Sequence, residues 1–177
     1  MHLRRHRSAL ALAFAASFLG LLGLLGATAC RSAAPAASAA PPSAAEAEAR
    51  RQVEAAMERY TTLLRTGPPE ALAACFTAQG ELLEPGMAPL QGPEAIRAFL
   101  APIFTAVDVL SASATSESVE VHGDAAYQWG TYRQRVAEHG KPPADYQGRY
   151  VAAWRREADG QWRLRRMLVQ PFPGGAS

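Results

Sequence analysis

The segment RYVAAWRREADGQWRLRRMLVQ, residues 149–170, reads as two strands joined by a tight turn. Arg149 to Glu157 carries Tyr150, Val151 and Trp154, residue types that suit a pleated, half-buried surface. Asp159-Gly160 is the kind of pair that closes a hairpin, because both residues tolerate positive φ. Gln161 to Gln170 then alternates, with Trp162 and Leu164 on one side and Arg163 and Arg165 on the other. A regular period of two puts Arg166 on the side of Trp162 and Leu164, so it is the arginine expected to face inward. Working back along the chain, Val119 and Val121 lead to Gly123-Asp124, a second hairpin signal, and a long strand follows from Ala125 to about Ala137. His139 to Tyr146, with its prolines and glycine, reads as a loop.

Ahead of this run of strands the period is helical. Val53, Ala56, Met57, Tyr60, Leu63 and Leu64 recur at one-turn spacing with Glu and Arg on the opposite face. Gly67-Pro68-Pro69 stops that helix and starts a short one carrying Leu72, Cys75 and Phe76. Glu81 to Glu84 is strand-like and ends at Pro85-Gly86. Pro93 opens a third helix with Ile96, Phe99, Leu100 and Ile103 on one stripe, which Pro102 is expected to kink or end. Three helices followed by antiparallel strands predict an α+β fold with helices packed on one face of a bent sheet.

The order of these elements, with Tyr60 on the first helix, Gly92-Pro93-Glu94-Ala95-Ile96, Gly123-Asp124-Ala125-Ala126-Tyr127, and Trp154 followed by Asp159-Gly160-Gln161-Trp162, resembles the SnoaL-like branch of the nuclear-transport-factor-2-like superfamily. The resemblance covers residues 46–171 and implies a cone-shaped α+β barrel, a strongly bent sheet wrapped around helices with a pocket at the wide end. It also implies a possible homodimer through the outer sheet face. The branch holds ketosteroid isomerase, cyclases, dehydratases and exported domains without known activity, so the site has to be argued separately.

The stretch from Tyr60 to Glu84-Pro85 resembles ketosteroid isomerase. There a tyrosine donates to a developing enolate oxygen and a carboxylate followed by proline moves the proton. That chemistry needs a donor at the oxyanion and a base within reach of the carbon acid. The isomerase's second acid is missing, since Val151 or Ala152 stands in its place. Tyr60 as pocket wall and Glu84 as a surface strand end is the structural alternative. Trp129, Tyr132, Trp154, Trp162 and Arg166, with Tyr127 and Tyr150, are expected to line a pocket for a small apolar or ring-containing ligand, or else to fill the core; strand register decides. No metal site and no cofactor are implied: His122 and His139 have no Cys, Asp or Glu at ligand spacing. Cys75, on an apolar helix side, reads as a small hydrophobe. Arg155, Arg156, Arg163, Arg165 and Arg166 crowd the last hairpin, either for an anionic partner or as a solvated face paired with acids.

The 177-residue chain carries 18 Lys and Arg against 16 Asp and Glu. Arg4, Arg5 and Arg7 precede an apolar run, Ala9 to Gly26, in the pattern of a secretory signal over residues 1–29. Without those three cations the balance is 15 against 16, a net charge of −1, which excludes nucleic-acid binding by a general positive field. Ala27-Thr28-Ala29-Cys30 resembles a bacterial lipobox, which makes Cys30 a lipidation site; an ordinary signal-peptidase cut after Ala29 and an uncleaved anchor are the alternatives. Residues 30–45 then read as an Ala/Pro/Ser tether, and residues 172–177 as a disordered tail. Arg31 after the cysteine resembles sorting to the outer membrane, facing the periplasm, in a Gram-negative cell. The expectation is a cell-envelope lipoprotein whose single domain is a non-catalytic ligand-binding or interaction module. The alternatives are an isomerase- or cyclase-type enzyme using Tyr60 as oxyanion donor and Glu84 as base, and a structural dimer.

Overall fold

The computed structural model describes residues 41–176. The expected signal segment, Cys30 and the tether up to residue 40 lie outside the described residues. No helix among the described residues is long and apolar enough to cross a membrane.

Helix α1, Ala44–Thr66, begins at a reciprocal cap: Ser43 accepts from the Glu46 backbone N–H while the Glu46 carboxylate accepts from Ser43 N–H. Its apolar stripe buries Ala49, Val53, Ala56, Met57 and Tyr60. Pro68 and Pro69 stop that helix and open α2, Pro69–Ala73. Strand β1, Phe76–Leu83, and the two-residue β2, Leu90–Gln91, lead into α3, Gly92–Ala106. Pro102 does not end α3, which continues to Ala106. Four long strands follow: β3 Val107–His122, β4 Ala125–Glu138, β5 Ala144–Arg156 and β6 Trp162–Ala176.

The sheet order is β2-β1-β6-β5-β4-β3. All neighbours are antiparallel except β1 and β6, which run parallel. The fold is therefore the expected α+β arrangement, a curved, unclosed sheet with the helices against its concave face. β1 is longer than the sequence suggests, because an irregularity between Phe76 and Glu81 hides its period. β6 extends to Ala176 where a tail from residue 172 was expected; the prolines hold extended φ values, and Arg149 lies over the Phe172 ring at 5.9 Å.

Curvature comes from bulges and from two glycines. β3 shifts register between Ser116 and Ser118, and there Gly130 of β4 lies so close to Thr115 O that any Cβ would collide with backbone. Gly148 of β5 meets Gln170 O and the Tyr132 ring in the same way. Only a residue without Cβ lets the strands fold this far onto one another. Inside the bend, Leu72, Leu82, Ile96, Val119, Ala152, Trp154, Trp162, Leu164 and Met167 pack against the α1 stripe as one core.

Candidate functional site

Between α1, α3 and the concave face of the sheet lies a cavity of about 340 Å³. Met57, Tyr60 and Leu64 of α1 form one wall, and Phe99, Leu100, Ile103 and Phe104 of α3 another. The sheet supplies Leu82, Tyr132, Gln134, Tyr150 and Met167, and Glu84 projects in from the residue after β1. Among the described residues no Lys, Arg or His lines it.

Glu84 is the one carboxylate of that lining. Its pKa is pushed up to about 6, and burial is the cause. Among the described residues it has neither an ion pair nor a hydrogen-bond partner. Tyr60 is 8% exposed. Burial raises its hydroxyl pKa far above the usual range, and the charge of Glu84 raises it further. Tyr132 is raised by the same two causes in the same order. One carboxylate and two hydroxyls thus share a water-poor, apolar space within reach of one another's charge. A base whose pKa lies near neutrality beside proton donors is suited to moving a proton to and from carbon.

The structure brings Tyr60, Glu84, Tyr132 and Tyr150 into one lining and places the other expected pocket residues elsewhere. Trp129 lies on the convex face, because Ala126, Gln128, Gly130 and Tyr132 are the concave residues of β4 and Trp129 falls between them. Trp154 is core: its indole N–H donates to Gln128 Oε1 at 2.9 Å. Trp162 is core as well, donating to Gln52 Oε1 at 3.2 Å with Arg156 over its ring at 5.6 Å. Arg166 does not face inward. β5 and β6 slip register at the Ala153/Trp154 step, which makes Arg165 an extra residue and reverses the alternation beyond it. Met167 takes the concave position and Arg166 pairs with Glu81 at 2.7 Å outside. The wall from α3 was missed as a site feature, although the helical stripe through Phe99, Leu100 and Ile103 was its signal.

The remaining conspicuous side chains are accounted for locally. Arg163 holds Asp159, whose pKa falls to about 2 through that bond and the Gln161 backbone N–H. Arg156 pairs with Asp124 at 2.9 Å, and His139 lies 3.6 Å from Asp108 in the open. Cys75 is buried and free.

Solved structures with the same architecture are numerous. A conserved protein from Planctomyces limnophilus matches with TM-score 0.64 and 23% identity, over 71% of this chain and 99% of that one. A ketosteroid isomerase-like protein from Erwinia carotovora atroseptica matches at 0.62 and 22%, over 71% and 98%. An NTF2-like protein with a cystatin-like fold from Novosphingobium aromaticivorans matches at 0.62 and 22%, over 72% and 84%. At these identities the likeness shows the fold. No curated protein matches the chain. A family model for the SnoaL-like domain matches residues 45–168, most of the chain and every element that builds the cavity. The chain belongs to the SnoaL-like domain family.

Proposed function

We propose that this domain is an acid/base enzyme of the isomerase, cyclase or dehydratase type, acting on a neutral, ring-sized substrate with an acidic C–H beside a carbonyl. The observation that carries this reading is Glu84: a half-buried carboxylate without a cation in the cavity lining, raised to about 6, whose charge bears on the Tyr60 and Tyr132 hydroxyls of the same cavity. The Glu84 carboxylate takes the proton from carbon, the C–H electron pair moves into the carbonyl as an enolate, and Tyr60 or Tyr132 donates a hydrogen bond to the new oxyanion. Glu84 then returns the proton to carbon. A lining without cations favours a neutral substrate over a carboxylate or phosphate, which would meet an uncompensated Glu84. The ketosteroid isomerase-like neighbour agrees with this chemistry as a matter of fold.

The test is exchange of α-hydrogen for deuterium in small cyclic ketones, followed by NMR. Exchange is expected to rise with pH through about 6, where Glu84 loses its proton. Glu84→Gln should lower it by about 10² or more, and Tyr60→Phe by about 10-fold or more if it holds the oxyanion. Exchange unchanged in Glu84→Gln would remove the reading.

One observation favours the non-catalytic alternative: Val151 or Ala152 stands at the place of the isomerase's second acid, the first exposed and the second fully buried, and neither offers a group to complete that pair. A binding module would hold ring-sized ligands with the same affinity at pH 5 and 8 and exchange none of them. In either case we propose that the chain is an exported lipoprotein tethered to a membrane, in the outer membrane facing the periplasm if the cell is Gram-negative, through acylated Cys30. Metabolic labelling with a fatty acid should mark the protein, and Cys30→Ser should lose the label.

A further inference from the structure

Four side chains behind the cavity form a chain of hydrogen bonds, and chemistry sets the direction of the first two. The Trp154 indole has only a donor, so the 2.9 Å contact makes Gln128 Oε1 the acceptor and turns the Gln128 amide group the other way. That amide donates to Ser116 Oγ at 2.6 Å. Ser116 Oγ lies 3.3 Å from Tyr150 Oη, and either hydroxyl can donate. When Ser116 donates, the Tyr150 hydroxyl hydrogen is left free, on a side chain that lines the cavity. Gln128 is fully buried and Trp154 is 2% exposed, so water does not compete for the bond between them, whereas Ser116 is exposed.

This hydroxyl meets Ser116, which lines an adjoining groove and not the cavity that Glu84 enters. The carboxylates whose charge bears on Tyr150 are Glu117 and Glu54, whereas that of Glu84 bears on Tyr60 and Tyr132. Ser116 and Glu54 line the adjoining groove between α1 and β3, which shares Met57, Thr61 and Ala112 to Ala114 with the cavity. Donors therefore stand at two ends of one apolar space.

We propose that Tyr150 is a specificity-determining residue that donates to an oxygen at the end of the ligand remote from Glu84, with Ser116 and Gln128 as its positioning residues. The inference rests on the reading of this cavity as a ligand site and narrows its substrate class: a neutral ring body with oxygen at both ends.

Three rigid probes test it: naphthalene, 2-naphthol and 2,6-dihydroxynaphthalene, which differ by one hydroxyl at each end. Their binding to residues 41–177 is followed by probe fluorescence. This part of the chain folds without what precedes it, since solved relatives are covered almost entirely by it. The second hydroxyl should tighten binding about fivefold, the worth of one neutral hydrogen bond. Tyr150→Phe should erase that second increment and keep the first, and Ser116→Ala should reduce it in part with naphthalene binding unchanged. Glu84→Gln should alter the first increment alone, so failure of the proton-transfer reading and failure of this one separate. A second hydroxyl that adds nothing, a Tyr150→Phe loss equal for all three probes, or no binding of any probe overturns the inference.

Discussion

Glu84 sits where β1 gives way to the Pro85-Gly86 turn, and its position sets a pH dependence of stability as well as of chemistry. In the unfolded chain its carboxyl titrates near 4.5, in the fold near 6. Below 4.5 both states are protonated and burial carries no charge penalty. Between 4.5 and 6 the unfolded chain gives up the proton first, so stability falls as pH rises, and above 6 the full penalty remains. Glu84→Gln keeps the shape and removes the charge. Its melting temperature should match wild type at pH 4 and exceed it at pH 7, and equal melting at both values would contradict the buried carboxylate. Asp159 acts with the opposite sign, since its pKa falls from 3.8 to about 2, and loses its contribution only in stronger acid. Tyr60 and Glu84 were legible as a pair because one stands on a regular helical stripe and the other at a proline-marked strand end. Among the strand aromatics Tyr132 and Tyr150 line the cavity and the tryptophans do not, because a strand shows which residues alternate but not which set faces in.

At the scale of elements, β6 shows how one inserted residue misleads a period-two reading. Trp162 and Leu164 keep phase, the bulge adds Arg165, and the concave face resumes at Met167. Arg165 and Arg166 both turn to Glu81, whose side chain is 16% exposed. No local signal marks that slip, because it answers the neighbouring strand's bend rather than β6's own residues. The phase has a mutational signature. Met167→Ala should cost about 2–5 kcal/mol, the range for a truncated core side chain, while Arg166→Ala should cost about 1 kcal/mol or less, since its head group is exposed. Denaturant unfolding of the two variants checks this, and the reverse ranking would restore the regular alternation. The helices were easier to read: the proline stops and the α1 stripe are local features that tertiary packing keeps.

At the scale of the molecule, the convex face carries an apolar row that the fold leaves open. Trp129 pairs with Val151 and Val151 with Leu168 across β4, β5 and β6, and Tyr127 adjoins them. Val151 is 48% and Leu168 38% exposed. We read this row as the contact of a homodimer, in line with the dimers the SnoaL-like resemblance implied. A two-fold interface is self-complementary, so a residue near the axis meets its own copy. One substitution there places two like charges in contact, which a heterologous contact would not suffer. Residues 41–177 are expected to sediment as a dimer, and Val151→Arg or Leu168→Arg to yield a folded monomer with unchanged circular dichroism. Since the cavity opens on the concave side, ligand binding in those monomers should be retained. A wild-type domain that stays monomeric at high concentration would rule out a second copy as the occupant of this row, and the search for a different partner would begin from the same three strands.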